Sequence, residues 1–251
     1  MDNDSLISNV KQKDISHTHY GNSIYSNLWY CDNKNKICIT FTPRGGCSIS
    51  FQQFLDLVGL LDDGLKYNTF IHNYRMEIFL KNIKEIKIDE LIKNNYTFIK
   101  FIMNPYIRAV SIFRCQSVNV SFRVHLKYII NNTEIYDNDN DKYHKGLQYI
   151  DGEEKIITKY IKIDKYETYE VKLANNSLYT FDVNKFTSVH HGKKTDNTSF
   201  CGDKLKDDVN KKLPKSYKYF YDDEIQKMVE TIYEKDIKYY GYDFDDFNDF
   251  D

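Results

Sequence analysis

The residues best placed to do chemistry are Arg44, Gly45, Gly46, Cys47 and Ser48, which lie between a β-rich run and a helical one. Two successive glycines let the backbone turn tightly. The first amides of the following helix then point at one spot, where unpaired N–H groups and the helix dipole favour an anion. Arg44 adds a fixed positive charge and Ser48 a hydroxyl. Taken alone, Thr42-Pro-Arg-Gly-Gly-Cys-Ser48 reads equally well as an ordinary strand-to-helix connection. It is not an NTPase P-loop, because no Gly-Lys-Ser/Thr closes it.

A second segment, Phe101-Ile-Met-Asn-Pro-Tyr-Ile-Arg-Ala-Val-Ser111 with Phe113 and Arg114, gives the turn a context. It resembles the PAPS-dependent sulfotransferase pattern Val-Arg-Asp/Asn-Pro-Tyr-Glu-Arg-Leu-Val-Ser-Ala-Tyr. In that family the first segment is the 5′-phosphosulfate loop, usually Pro-Lys-Thr/Ala-Gly-Gly/Cys-Thr-Ser, and the second binds the 3′-phosphate. His144-Lys-Gly-Leu-Gln148 is similar to a His-x-x-x-Gln stretch of carbohydrate sulfotransferases. The tail, with Tyr221-Asp-Asp-Glu224, Val229, Tyr233 and Asp236-Ile-Lys-Tyr-Tyr-Gly-Tyr-Asp-Phe244, resembles the family's ending. The four matches keep family order over residues 37–244.

The resemblance implies a P-loop-NTPase-like sulfotransferase fold. It implies transfer of a sulfuryl group from PAPS, the donor substrate, to a hydroxyl, with a carbohydrate as the expected acceptor. The donor would be held by Arg44, Gly45, Gly46, Cys47 and Ser48 at its 5′ end, and by Arg108 and Ser111 at the other. Two positions depart from the family. Arg44 replaces the usual Lys, which keeps the charge but presents a planar fork. Met103 replaces the Arg that grips the 3′-phosphate, so another cation must stand in: Arg108, Arg114, or Lys193 and Lys194.

Sulfuryl transfer needs acceptor oxygen, sulfur and leaving oxygen in line, with charge stabilised on the leaving phosphate. Arg44 is the residue expected to stabilise it. The transferred group carries less charge than a phosphoryl group, so no metal is expected. A general base is needed. His72 is the first candidate, because it ends an expected strand and would open toward the same sheet edge; a lone His is as often an ordinary core or surface residue. Glu77 is the second candidate, against a solvated surface role. His144 would order a loop or contact substrate, and His190 and His191 lie on a long basic loop that is more simply solvated. Cys47 in the turn, and Tyr239, Tyr240 and Tyr242, read as packing.

The elements that must position these groups are legible as apolar runs. Lys36 to Thr42 reads as a strand, and Ser48 to Val58 as a helix with Ile49, Phe51, Phe54, Leu55 and Val58 near one face. Tyr67 to Ile71 reads as a second strand, followed by a helix over 75–83 and a short one over 89–94. Tyr96 to Met103 is the clearest buried strand, stopped by Asn104-Pro105, where a helix over 106–115 begins. Further helices are expected over 122–130 and 222–235, a strand over 160–164, and loops over 131–146 and 187–216. Such alternation predicts an α/β fold, a central, mostly parallel sheet flanked by helices.

With 251 residues the chain is long enough for one substantial core, read as a polar N-terminal segment over 1–30 and a single domain over 31–251. Lys and Arg total 35 against 37 acidic residues, which argues against a dedicated nucleic-acid binder. No apolar run reaches the roughly 20 residues of a membrane span. The five cysteines are odd in number and lack metal-ligand spacing, which predicts free thiols and a soluble, intracellular protein. The alternative to an active enzyme is a catalytically silent descendant that binds a nucleotide, a glycan or a protein partner. A different phosphate-handling P-loop enzyme is disfavoured by the missing Gly-Lys-Ser/Thr.

Overall fold

The computed structural model describes residues 3–19, 28–131, 146–186 and 194–246. Within the span expected as one domain, the described chain forms two compact units. The first draws on Met1–Thr42, Gly46–Ile102 and Ile150–Val189, and the second on Pro43–Gly45, Met103–Tyr149 and His190–Asp251.

The first unit is α/β. Its elements begin with helix α1 (Asn3–Lys11) and strands β1 (Ile15–His19), β2 (Leu28–Asp32) and β3 (Ile37–Phe41). Helices α2 (Cys47–Leu57), α3 (Leu61–Tyr67) and α4 (Ile71–Tyr74) follow, and α4 runs into a π-helical turn over Arg75–Phe79. Then come β4 (Lys84–Glu85), α5 (Ile88–Lys93), β5 (Thr97–Ile102), β6 (Lys159–Lys162) and a hairpin of β7 (Thr168–Lys172) and β8 (Leu178–Asp182).

Six strands form the central sheet in the order β4-β1-β2-β3-β5-β6. Three of its pairings are parallel and two antiparallel, so the sheet is mostly parallel as expected. Alternation along β2 and β3 supplies an apolar set to each face. Trp29, Cys31, Cys38 and Phe98 pack with Leu91 of α5 on one side. Tyr30 and Phe41 stack at 5.6 Å, and Tyr30 also meets Phe51 and Phe54 of α2 and Phe79 of the π-helical turn. Both faces of these central strands are therefore covered.

Three expectations change here. The polar N-terminal segment over 1–30, set apart from the expected domain, supplies α1, β1 and part of β2. Its signal is weak because the buried residues of β1 include Ser16 and Thr18, with the Ser16 hydroxyl donating to Asn33 Oδ1 at 2.8 Å. The Tyr67–Ile71 run is not a strand. The Asn68 carboxamide oxygen accepts from the Phe70 amide at 2.8 Å, a local turn that takes the backbone from α3 into α4, so His72 lies on a helix. Cys31 and Cys38 are a disulfide rather than free thiols. Antiparallel β2 and β3 place them directly opposite, with Cα atoms 4.2 Å apart. No helix among the described residues is long and apolar enough to cross a membrane.

The second unit is helical, with α6 (Pro105–Arg114), α7 (Phe122–Ile130), α8 (Lys206–Lys211), α9 (Asp223–Ile232) and α10 (Glu234–Tyr240). Asn104 caps α6 by accepting from the Tyr106 amide at 2.9 Å, and Pro105 occupies the first turn, as its sequence requires. Ile107, Val110, Ile112 and Phe113 of α6 share a core with Phe122 and Leu126 of α7 and with Ile225 and Val229 of α9.

Asp222 caps α9, accepting from the Ile225 amide at 2.9 Å, and its carboxylate also meets Arg123. Asp222→Ala is expected to cost about 1 kcal/mol in a denaturant titration. The Arg123 hydrogen bond holds the Asp222 carboxyl below its usual value. Its contribution is therefore complete above about pH 4 and disappears as the pH falls through the lowered value. An acid titration of Asp222→Ala should lose that part of the wild-type curve.

Candidate functional site

In the second unit Pro43–Gly45 lies against α6. The Arg44 backbone is in the left-handed region at φ 62°, unusual for a residue with a Cβ. Its guanidinium Nη2 donates to the Ser111 hydroxyl at 2.9 Å and to the Ser111 carbonyl at 3.2 Å. A strained backbone held by a two-point side-chain contact marks a fixed placement of positive charge.

Arg108, one helical turn before Ser111, is fully buried. Its Nε donates to the Pro43 carbonyl at 3.2 Å, Nη1 lies 4.0 Å from Asp236 Oδ2, and the guanidinium sits 5.7 Å from the centre of the Tyr233 ring. Burial lowers its pKa, opposed by Tyr233 and Asp236. Burial also raises the Tyr233 phenol, to about 12. Arg108 therefore braces the turn that carries Arg44.

Met103 is buried, and its backbone is clamped by Gln148. The Met103 amide donates to Gln148 Oε1 at 2.9 Å, and Gln148 Nε2 donates to the Met103 carbonyl at 2.7 Å. The Gln148 and Tyr149 amides each donate to Asp236 at 2.8 Å. Three of the four segments quoted for the family resemblance thus meet here. His144, Lys193, His190 and His191 lie outside the described residues.

Two cations proposed to stand in for the missing 3′-phosphate arginine converge on Tyr217. Arg114 donates to the Tyr217 hydroxyl and from Nε to Asn210 Oδ1 at 3.1 Å, with its guanidinium 5.7 Å from the Tyr217 ring centre. The Lys194 ammonium lies 5.9 Å from the same ring centre. Sequence order gives no sign of this, since the two are 80 residues apart by number, 194 against 114.

In the first unit, Gly46 caps α2 at φ 86°, and as a glycine it offers no side chain to the first amides of the helix. A Cβ there would come within 2.1 Å of Ile163 Cδ1, so both the conformation and the space require glycine. The first amides of α2 lack intrahelical acceptors, as at any helix start, and the Thr42 hydroxyl is buried with no hydrogen-bond partner among the described residues.

His72 reaches this helix start from α4. Its Nε2 lies 3.0 Å from Ser48 Oγ and 3.3 Å from Cys47 Sγ. His72 therefore stands beside the helix start, as the sequence reading expected, but from a helix and not from the end of a strand. Glu77 is exposed and bonded to the Tyr67 hydroxyl.

Two further residues belong to this cluster and were missed. Arg75 follows His72 by three positions and places its guanidinium 5.8 Å from the centre of the Phe41 ring, with Nε buried and unpartnered. Tyr30 is buried, which raises its hydroxyl pKa, while the neighbouring Arg75 pulls it down. Only the three-residue spacing on one helix could have drawn attention to Arg75.

Chemically, the first unit offers amide donors and a base at one helix start, and the second offers a fixed guanidinium beside a serine. No protein-family model matches the chain, and neither does any curated protein or solved structure.

Proposed function

We propose that this chain is a sulfotransferase, moving a sulfuryl group from PAPS to a hydroxyl on a carbohydrate acceptor, on a P-loop-like sulfotransferase fold. The observation that carries the proposal is the 2.9 Å contact between Arg44 and the Ser111 hydroxyl. These residues come from the two segments that resemble the 5′-phosphosulfate and 3′-phosphate motifs, and a shared nucleotide requires them to be neighbours.

In the reaction, the acceptor oxygen bonds to sulfur while the bond between sulfur and the bridging phosphate oxygen breaks. His72 takes the hydroxyl proton and PAP departs. Arg44 stabilises the charge on the leaving phosphate. Ser111, with Arg114 and Lys194 on Tyr217, addresses the nucleotide's other phosphate, and Arg108 acts as a positioning residue.

One observation favours a catalytically silent binder instead. Met103 stands where the family carries a phosphate-gripping arginine, and it is buried and clamped by Gln148. Calorimetry with PAP separates the two. Micromolar binding that weakens in the double variant Arg114→Ala, Lys194→Ala is expected of the enzyme. Absence of PAP binding would favour the silent protein.

A further inference from the structure

We propose that His17, His19 and Glu85 form a binding site for a divalent transition metal, zinc in the first instance. The site shares no residue with the candidate sulfotransferase machinery and does not depend on it.

The arrangement follows from strand geometry. His17 and His19 are two apart on β1, so their side chains leave the same face. Strand β4 runs parallel beside β1 with Glu85 opposite His17. The Ile86 amide donates to the His17 carbonyl at 2.8 Å, which pins that register. Two imidazoles and a carboxylate are thereby gathered on adjacent strands, the kind of scaffold that holds ligands in place better than loops do.

One ligand atom from each residue lies within 4.8 Å of the other two. The His19 Nδ1 to Glu85 Oε1 distance is 3.2 Å. Two ligands on a tetrahedral zinc with bonds of about 2.0 Å stand about 3.3 Å apart. That edge of the polyhedron is already formed, and small side-chain rotations complete the triangle. His17 Nδ1 is buried with no hydrogen-bond partner among the described residues, an arrangement proteins generally avoid.

The bland explanation is a surface ion pair. His19 and Glu85 are 43% and 65% exposed, and such pairs contribute little to stability. That does not account for a second histidine held in register with them. The same exposure leaves room for water in the fourth coordination position. Two nitrogens and one oxygen suit zinc, nickel or copper; magnesium and calcium require mostly oxygen ligands. A bound ion would fasten β4, only two residues long, to the rest of the sheet.

The test uses the full chain without an affinity tag, stripped with a chelator and titrated with zinc chloride in a calorimeter. Saturable binding of one zinc per chain is expected, with no heat from magnesium chloride. His19→Ala and Glu85→Gln alter exposed side chains, and each should weaken zinc by at least about tenfold while circular dichroism stays unchanged. Cobalt in place of zinc should give the visible spectrum of a four-coordinate ion without a thiolate charge-transfer band. The proposal is overturned by absence of saturable zinc binding, by undiminished binding in the double variant His19→Ala, Glu85→Gln, or by a thiolate band, which would direct attention to Cys47.

Discussion

Arg44→Ala is expected to lower sulfuryl transfer by about 100-fold to 1,000-fold, the usual effect of removing one preorganised donor from a developing charge. Labelled PAPS with a panel of sugar, tyrosyl and small-phenol acceptors supplies the measurement. The fold should survive, because Arg44 is only half-buried and its side-chain hydrogen bonds among the described residues run to the Ser111 hydroxyl and carbonyl. Losing them should cost about 1 kcal/mol of stability. Arg44→Lys keeps a charge but presents a compact ammonium in place of a planar guanidinium, so an intermediate rate is expected. Turnover by Arg44→Ala equal to wild type would remove Arg44 from the chemistry.

His72→Ala tests the other end of the reaction. A positioned base contributes about 100-fold to 10,000-fold, so kcat should drop by that order. PAP affinity should be little changed, since His72 is assigned to the acceptor's proton and not to the nucleotide. A rise in KM for the donor with kcat preserved would assign His72 to binding instead. The 3.0 Å and 3.3 Å contacts with Ser48 and Cys47 add a control. If His72 served only to order the start of α2, Ser48→Ala would reproduce its effect. If it is the base, Ser48→Ala should be much the milder change.

The parts of the fold that were readable in the sequence are those in which one signal dominates. The runs ending at Thr42 and Met103 are rich in apolar and β-prone residues, in keeping with the burial of β3 and β5 inside the sheet. Asn104-Pro105 opens α6 with a cap and a first-turn proline, and Asp222 does the same service for α9. Where signals compete, reading fails. Strand β1 is Ile-Ser-His-Thr-His, whose buried members are partly polar, and β7 and β8 alternate with their outward residues exposed. Phe70 and Ile71 look like strand until Asn68 bonds the backbone into a turn. The cysteine pairing depends on the register of β2 against β3, which a separation of seven in sequence does not reveal.

For the candidate site, local motifs drew attention to Arg44, Ser48, Ser111 and His72, since each belongs to a short segment with its own chemical logic, and the structure brings Arg44 to Ser111 and His72 to Ser48. Arg75, Tyr30 and the shared use of Tyr217 by Arg114 and Lys194 are products of tertiary proximity. Arg108, expected from its place in a phosphate-binding pattern to contact the donor, is buried among Tyr233, Asp236 and the Pro43 carbonyl, surroundings that sequence order does not reveal.

Asp236 has a bearing on how the protein comes into being. Its carboxylate receives the Gln148 and Tyr149 amides and faces Arg108, so a residue made late in translation completes ties begun some ninety to one hundred and thirty positions earlier. The helical unit cannot settle while its later portion is still inside the ribosome. Nascent chains halted before that aspartate should remain open to proteases around α6, long after the strands upstream have been synthesised.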